Sequence, residues 1–304
     1  MSHELTSYLD AATKARLEEA VAGHARDESA GFVAQLAAQL EARGYRGAAP
    51  LHRGCEALLL RASAPDGRPV AVRAQAPFAM RHWRNRPTLR NFLRLKLLAL
   101  LAPRHPNLVS YRRCFRLSFR PPGPRRALPI FCLEMEFLPG VPLLKALAMR
   151  EYLEGGPARL RRLTLGCLRG WSALHRRGLR QGDINPQNIL LRPATWDPVL
   201  VDLRFSLRFG RDLGRERHEF RCTLRAALTG RWRRDRDLPP LNKDEIGAFW
   251  GPWAGSEAAR AELDAWAQFS ESLAPGAPLG RAAPPELLRA ATALAAANPG
   301  SGGS

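Results

Sequence analysis

The chain has 304 residues, 45% of them hydrophobic, and its 47 Lys and Arg residues against 28 Asp and Glu residues give a formal net charge of +19. A chain of this length and hydrophobic content can bury one large core or two modest lobes. The five cysteines are scattered and include no CxxC pair, which argues against a disulfide framework or a zinc site and is typical of a reducing cytoplasm. Residues 1–10 are polar, and the longest apolar stretch, Phe92–Ala102, is short and interrupted by Arg94 and Lys96, so we expect neither an N-terminal signal nor a membrane-spanning helix.

The first predicted elements are two amphipathic helices, over residues 4–23 and 28–43, which end at Gly44. Both are rich in Ala, Leu and Glu. Because they precede every other recognisable element, we interpret residues 1–46 as a helical extension whose role the sequence leaves open.

Residues 47–136 have the pattern of a small lobe built on an antiparallel sheet. A Pro65-Asp66-Gly67 turn separates two runs of strand-forming residues, and a basic helix with an apolar face precedes two further strand patterns. The predicted strands cover Leu51–Ala62, Pro69–Ala74, Leu108–Tyr111 and Ile130–Phe137, and the predicted helix covers Thr88–Leu101.

Residues 137–295 have the pattern of a larger, mainly helical lobe. Apolar residues recur at helical spacing over Leu160–His175, and Gly178 follows as a C-terminal glycine. The short apolar runs Ile189–Leu191 and Val199–Val201 are joined by a turn rich in Pro and Asp, which predicts a β-hairpin. Further helices are predicted around Phe220–Leu228 and over Lys243–Trp253, Ser256–Leu273 and Pro284–Ala297, and residues 296–304 should form a flexible tail.

Three polar residues between these elements have the spacing that phosphoryl transfer requires. Asp183 and Asn188 lie in a Gly-Asp-Ile-Asn-Pro-Gln-Asn sequence before the first strand of the hairpin, and Asp202 lies at the end of the second strand. One carboxylate can orient a nucleophilic hydroxyl, while the amide and the second carboxylate hold the metal ions that neutralise phosphate oxygens. The alternative is an ordinary turn in which Asp and Asn serve local hydrogen bonds.

The helix, loop and hairpin that carry Asp183, Asn188 and Asp202 resemble the catalytic loop and metal-binding segment of the protein-kinase-like superfamily. The resemblance implies an α+β, bilobal fold with a small antiparallel-sheet lobe and a larger helical lobe. It implies that the chain uses ATP and Mg²⁺, with Asp183 as the catalytic base and with Asn188 and Asp202 as metal ligands. It covers residues 51–250.

The resemblance also implies a set of nucleotide-binding residues. The sequence Val-Ala-Val-Arg ending at Arg73 is similar to the family's Val-Ala-Ile-Lys strand, so Arg73 takes the place of the phosphate-contacting lysine. Gly54 is the one glycine retained at the position of the glycine-rich loop. An apolar strand ends in the Pro139-Gly140 turn. It is either an ordinary structural strand or the hinge that holds adenine. The adenine contacts implied in the second case are Met135, Glu136, Phe137 and Leu138.

The chain departs from the family where nucleotide binding is normally supported. Arg73 can bind phosphate through two N–H groups, but it does not reproduce the point charge of an ammonium group. No acidic residue lies between Asp66 and Glu134, so the glutamate that pairs with the family's lysine is missing. Gln181 stands where the family commonly has histidine.

The loop around Asp183 also bears on the acceptor. Asn185 lies two residues after Asp183, where serine/threonine protein kinases usually have lysine, and the loop is more similar to those of small-molecule and lipopolysaccharide kinases. A likeness to the bacterial lipopolysaccharide core kinases, which phosphorylate heptose or Kdo sugars, implies an anionic small-molecule or lipid-linked sugar acceptor in contact with Asn185. It also implies a cytoplasmic protein that can lie at the inner membrane.

Positive charge is concentrated in two stretches. Fourteen arginines and Lys96 lie between Asp66 and Glu134, and a second arginine-rich run follows Asp202. These residues form either a solvated basic face or a surface that meets phosphates or anionic lipid, including the lipid of a membrane. Because no aromatic-interleaved nucleic-acid motif is evident, nucleic acid is not an expected partner.

Two main functional classes remain open at this point. The first is an ATP-dependent phosphotransferase that acts on a sugar or another small molecule. The second is a pseudokinase that retains the fold as a binding or scaffolding module, as Arg73 and the missing glutamate would indicate. A protein serine/threonine kinase of atypical sequence is a third option.

Overall fold

The computed structural model describes residues 31–53, 57–75, 89–121, 126–203, 213–233 and 238–298, and the side chains of residues 89–91 are not described. The predicted helix over residues 4–23 and most of the predicted tail lie outside these ranges. The chain divides into two compact units. The first comprises Met1–Leu93 and Arg113–Phe137, and the second comprises Arg94–Arg112 and Leu138–Ser304.

The first unit contains a five-stranded sheet and a helix, α1, described over residues 31–41. The strand order is β1-β2-β3-β5-β4, and β1, β2, β3 and β5 pair antiparallel in that order. The strands are β1 (Arg46–Arg53), β2 (Ala57–Ser63), β3 (Pro69–Gln75), β4 (Tyr111–Phe119) and β5 (Leu128–Glu136).

One face of this sheet is covered by α1. Phe32, Leu36 and Leu40 recur at helical spacing and are fully buried in one cluster with sheet residues such as Leu60 and Val72. Phe32 also meets Phe119 edge to face, with ring centroids 5.0 Å apart. The described part of the predicted extension therefore shares the hydrophobic core of the sheet.

The prediction of a single strand over Leu51–Ala62 is wrong. Residues 46–53 and 57–63 form two strands that pair antiparallel, with irregular register on both sides of Pro50. Proline has no N–H to donate to a ladder, and β1 lies at the sheet edge, where such a residue is tolerated. The predicted helix Thr88–Leu101 is confirmed as α2 (Leu89–Leu101), and Phe92 of α2 packs on Phe131 with ring centroids 4.9 Å apart.

The second unit is mainly helical and contains a three-stranded sheet of order β6-β7-β8. The predicted helices and hairpin are confirmed with small shifts of their ends, apart from the helix predicted around Phe220, which begins seven residues earlier at Leu213. The elements are β6 (Val141–Pro142), α3 (Leu143–Ala146), α4 (Arg150–Leu153), α5 (Gly156–Arg176), β7 (Ile189–Leu191), β8 (Pro198–Leu200), α6 (Leu213–Thr229), α7 (Lys243–Trp250), a 3₁₀ turn (Gly251–Trp253), α8 (Glu257–Ser272) and α9 (Pro284–Ala297).

Two glycines let α5 pack closely on the segment that follows α2. A Cβ atom at Gly170 would lie 2.8 Å from the Asn107 carbonyl oxygen, and one at Gly166 would lie 2.4 Å from Cγ of Pro198. Asn107 in turn donates from Nδ2 to the Pro198 carbonyl at 2.8 Å. The predicted strand Leu108–Tyr111 is therefore wrong in its extent, because Leu108 forms an isolated bridge to Leu200 and β4 begins only at Tyr111.

Several arginines of the basic run after Asp202 have structural partners. Arg221 and Arg225 of α6 both bind Glu271 of α8, at 2.6 and 2.9 Å. Arg231 pairs with Glu245 at 3.1 Å. This part of the basic run therefore joins helices of the second unit. No described helix combines the length and the apolar composition needed to cross a bilayer, and the described cysteines Cys114, Cys132, Cys167 and Cys222 are free thiols.

Candidate active site

The loop after α5 is fixed by the buried side chain of Gln181. Its Nε2 donates to the Val201 carbonyl at 2.8 Å, and its Oε1 accepts from the Asp183 backbone N–H at 2.7 Å. Gln181 is 0% exposed. A single neutral side chain thus joins the loop to the segment that carries Asp202.

Within the loop, Asp183, Asn185 and Asn188 form one hydrogen-bonded network. Asn188 donates from Nδ2 to the Asp183 carbonyl at 3.0 Å and to its carboxylate Oδ2 at 3.3 Å. Asn185 accepts at Oδ1 from the backbone N–H groups of Gln187 and Asn188, at 2.9 and 3.2 Å. The structure therefore brings the predicted base and one predicted metal ligand into direct contact.

Asn185 is buried, and its amide nitrogen donates to the Asp183 carbonyl at 3.3 Å. Its hydrogen bonds lie inside the loop, where they hold the chain between Asp183 and Asn188 in one conformation. The predicted contact of Asn185 with a substrate stays a prediction.

Asp202 is placed beside Asn188 by the hairpin. Ile189 pairs with Leu200, and the Val201 N–H donates to the Asn188 carbonyl at 2.9 Å, so Asp202 follows directly on the residue that pairs with Asn188. Its backbone has φ 53°, in the left-handed region that asparagine and aspartate enter more readily than other non-glycine residues. The Leu203 N–H donates to the Tyr111 hydroxyl at 3.0 Å, which fixes the chain after Asp202.

Two buried glutamates of α6 hold the backbone of the loop that carries Asp183. Glu216 accepts from the Gly182 N–H at 2.9 Å and from Nε1 of Trp171 at 3.0 Å. Glu219 accepts from the Ile184 N–H at 3.2 Å and pairs with Arg215 at 2.9 Å. Each glutamate is 2% exposed.

Burial raises the pKa of Glu216, although the hydrogen bonds from Trp171 and Gly182 and the charge of Arg180 oppose that shift. Sequence reasoning missed this pair of glutamates. The available signal was a pair of acids one helical turn apart in an arginine-rich helix, which by itself is typical of solvent-exposed ion pairs.

The residues predicted to bind nucleotide fall in both units. Arg73 lies on β3 between Leu59 of β2 and Leu133 of β5. Met135 is buried opposite Ala71, and Glu136 lies opposite Val70, both at the end of β5. Phe137 ends the first unit, where the Arg61 guanidinium lies 4.6 Å from the centroid of its ring, and Leu138 begins the second. Gly54 lies outside the described residues.

Glu134 is the first acidic residue after the acid-free stretch, and its partners are Tyr45 and Arg113. Its carboxylate is bound by the Tyr45 hydroxyl and, at 2.6 Å, by Nε of Arg113. Glu134 pairs with Val72 and Arg73 pairs with Leu133, so the side chains of Glu134 and Arg73 project from opposite faces of the sheet. Glu134 therefore does not replace the family's glutamate.

The donor set of the loop suits Mg²⁺. The Asn188 amide nitrogen donates to Asp183, which leaves its oxygen as the atom that would ligate a cation together with the Asp202 carboxylate. Mg²⁺ is typically held by one or two carboxylates and by the phosphates of its nucleotide rather than by an all-protein cage. The described residues contain no cluster of three or more His, Cys, Asp or Glu side chains suited to a metal.

No protein-family model matches the chain, and no curated protein matches its sequence. Solved structures do match its fold. A double-mutant kinase domain of Mycobacterium tuberculosis PknI is 18% identical with a TM-score of 0.56, over 83% of this chain and 96% of that chain. The apo GRMZM2G135359 pseudokinase is 16% identical with a TM-score of 0.56, over 81% and 90%.

The MAP kinase LmaMPK10 from Leishmania major is 17% identical with a TM-score of 0.53, over 85% of this chain and 86% of that chain. Sequence identities this low indicate a similar fold and say nothing about activity. The similarity extends over both described units. The chain therefore has an α+β, protein-kinase-like fold, as the loop, the hairpin and the order of strands and helices predicted.

Proposed function

We propose that this protein is an ATP- and Mg²⁺-dependent phosphotransferase that acts on a hydroxyl group. The observation that carries the proposal is the convergence of Asp183, Asn188 and Asp202 on one loop and one hairpin, each fixed by hydrogen bonds of its own segment. A scaffold has no physical need to retain all three residues. Phosphoryl transfer needs each of them in a separate role.

Asp183 is the proposed base. Its backbone is held by Gln181 and its carboxylate by Asn188, so Oδ1 and Oδ2 have a fixed direction from which to accept the proton of an acceptor hydroxyl. Bound Mg-ATP would supply the phosphoryl group and the charge neutralisation at its oxygens, with Asn188 and Asp202 as ligands of the metal. Arg73 is the proposed phosphate contact, and residues 135–138 are the proposed adenine contacts.

For the acceptor we propose a sugar, either of lipopolysaccharide core or of another small molecule. Asn185 takes the position at which protein kinases usually have lysine, and α6 is described from Leu213, eleven positions after Asp202. So short a segment leaves little chain for presenting a peptide. An anionic or lipid-linked sugar would also suit the high positive charge of the protein.

A pseudokinase is the second candidate, and three features favour it. Arg73 replaces the lysine, no acidic residue exists between Asp66 and Glu134, and Glu134 projects from the other face of the sheet. The segment that supplies the lysine's glutamate partner in the family therefore contains no acidic residue here. As a pseudokinase, the chain would bind a partner or a nucleotide without transferring phosphate.

The two candidates are separated by measuring nucleotide binding and transfer on the same variants. We expect ATP to raise the melting temperature of the full chain only when Mg²⁺ is present, and Asp202→Asn to abolish this shift. Asparagine is the informative substitution because it tolerates the left-handed backbone of residue 202 while it removes the charge. The matched control is Asp197→Asn at the other end of the same hairpin, where the carboxylate lies 3.9 Å from Arg162.

Transfer is measured with γ-labelled ATP on lipopolysaccharide core sugars, with Asp183→Asn as the variant that retains binding and loses turnover. A loss of about 100-fold or more is expected for a general base. Absence of any Mg²⁺-dependent shift in the unmodified protein would overturn the enzyme proposal. Binding without transfer to any acceptor would leave the pseudokinase as the function.

A further inference from the structure

A basic surface that includes exposed leucines lies on the second unit. It consists of the end of α2, the segment that follows it and the outer side of α5. We call it the basic–leucine surface, and its residues are Lys96, Leu100, Leu101, Arg104, Arg169 and Arg176.

The apolar part of this surface is the end of α2. Leu100 is 77% exposed and Leu101 is 40% exposed, the former being the most exposed of the large hydrophobic side chains in the described residues. Lys96 lies four residues before Leu100 and so on the same side of the helix. Leu100 and Leu101 are adjacent in the chain and together expose apolar surface next to basic residues, an arrangement that suits contact with the boundary of a lipid bilayer.

The basic part begins next to these leucines in the chain and continues on α5. Arg104 follows three residues after Leu101 and is exposed. The chain next to it is held against α5, because Gly170 approaches the Asn107 carbonyl so closely that a Cβ would lie 2.8 Å from the oxygen. Arg169 and Arg176 are two turns apart on the exposed side of α5 and therefore flank this segment.

The pKa of His105 is affected by the same arginines. Burial and then the charges of Arg176 and Arg169 lower the pKa of this imidazole. No acidic residue occurs in residues 94–107 or anywhere in α5, so the segments that form the surface bring no counter-charge of their own. In contrast, Arg221, Arg225 and Arg231 in the same unit are neutralised by glutamates.

We propose that the basic–leucine surface docks the protein on an anionic lipid bilayer. Leu100 and Leu101 would enter the boundary between headgroups and acyl chains, and the arginines would bind lipid phosphates. One guanidinium group can bind two phosphate oxygens at once. A long cationic side chain can place its charge among the headgroups while its methylene groups lie against apolar surface. Nucleic acid would account for the arginines but not for a leucine exposed beside them, whereas a bilayer offers anionic phosphates and an apolar phase at one surface.

The test is cosedimentation of the full chain with vesicles, without nucleotide, so that it does not depend on phosphotransfer. We expect binding to phosphatidylcholine vesicles that contain phosphatidylglycerol, weakening with added salt, and no binding to phosphatidylcholine alone. Arg169→Gln with Arg176→Gln should reduce the partition coefficient about 30-fold, since each basic residue near the surface contributes about fivefold. Leu100→Ser should reduce it about 10-fold.

Matched controls remove the same groups elsewhere on the second unit. Arg150→Gln with Arg260→Gln deletes two positive charges, and Leu144→Ser deletes a leucine that is 37% exposed; each should change the partition less than twofold. Equal losses in the test and control pairs would overturn the proposal in favour of unspecific charge attraction. A second result would also overturn the proposal. In it, the variant with Arg169→Gln and Arg176→Gln binds an oligonucleotide or polyglutamate more weakly than the unmodified protein does, while its binding to vesicles is unchanged.

Discussion

At the scale of single residues, the candidate site depends on side chains that do no chemistry. Gln181 and Glu216 each hold backbone groups of the loop that carries Asp183, and both are buried. A buried donor that loses its acceptor costs about 1–3 kcal/mol, more than a typical intact hydrogen bond contributes. The geometry of Asp183 is therefore sensitive to residues that never meet a substrate.

We predict that Glu216→Ala lowers stability by about 2 kcal/mol or more, because it leaves the Gly182 and Trp171 N–H groups without their acceptor. Glu216→Gln should be milder, since its amide oxygen can still accept one of the two bonds. Urea unfolding of both variants measures this. The control is Glu151→Ala, an exposed glutamate of α4, and equal effects at positions 151 and 216 would contradict the prediction.

We also expect the stability contributed by Glu216 to depend on pH. Since burial raises the pKa of Glu216 in the folded state, the folded protein binds this proton more tightly than the unfolded chain does. Its contribution to stability is thus fully present below the unfolded pKa of 4.5 and is lost as pH rises through the folded pKa. The stability difference between the unmodified protein and Glu216→Gln should therefore decrease from its low-pH value as pH rises through this window, and a difference that grows would contradict it.

At the scale of elements, the site is built where α5 approaches the hairpin and the segment after α2. Helix propensity alone disfavours Gly166 and Gly170 within α5. Their spacing of four residues places both on one side of the helix, where Asn107 and Pro198 leave no room for a side chain. The glycines bring α5 close enough for Asn107 to join the β7–β8 hairpin.

Gly170→Ala should destabilise the protein by about 1–3 kcal/mol, since its Cβ would meet the Asn107 carbonyl at 2.8 Å and the backbone must shift. Gly247→Ala is the matched control in α7, where a Cβ would have no neighbour within 4 Å and should stabilise by up to about 1 kcal/mol. Thermal melting of the two variants checks the opposite signs. If Gly170→Ala melted at or above the unmodified protein, the close approach would not matter to stability.

At the scale of the whole molecule, the two units have separate cores. The first unit depends on α1, which fills one face of the five-stranded sheet with Phe32, Leu36 and Leu40. A sheet with one bare apolar face would be unstable in water, so α1 completes the unit structurally although it precedes every residue proposed for catalysis.

Leu36→Ala should destabilise the first unit by about 2–5 kcal/mol, as expected when a fully buried leucine is truncated. Hydrogen exchange should therefore accelerate in β1, β2 and β3 and remain unchanged in α5 and α8, because the cores are separate. Leu51→Ala, at an exposed leucine of β1, is the control and should have little effect. Equal acceleration in α5 would show that the two units unfold together.

The sequence by itself determined the fold class and indicated candidate catalytic residues. Asp183, Asn188 and Asp202 could be proposed because phosphoryl transfer requires fixed residue types at fixed spacing, and the helices were predictable because apolar residues recur with the period of a helix. Strand limits failed at Pro50 and Leu108, since strand pairing is non-local and leaves only a weak pattern in the chain.

Only the tertiary structure decided which charged residues have partners. Glu216 and Glu219 are hidden among arginines in the sequence, and their role depends on backbone groups more than thirty residues away. The arginines show the same limit: Arg221 and Arg225 join two helices, whereas Arg169 and Arg176 are exposed on α5. The sequence gives the charge of each residue. The partner of a charged side chain and its burial depend on which segments the fold brings together.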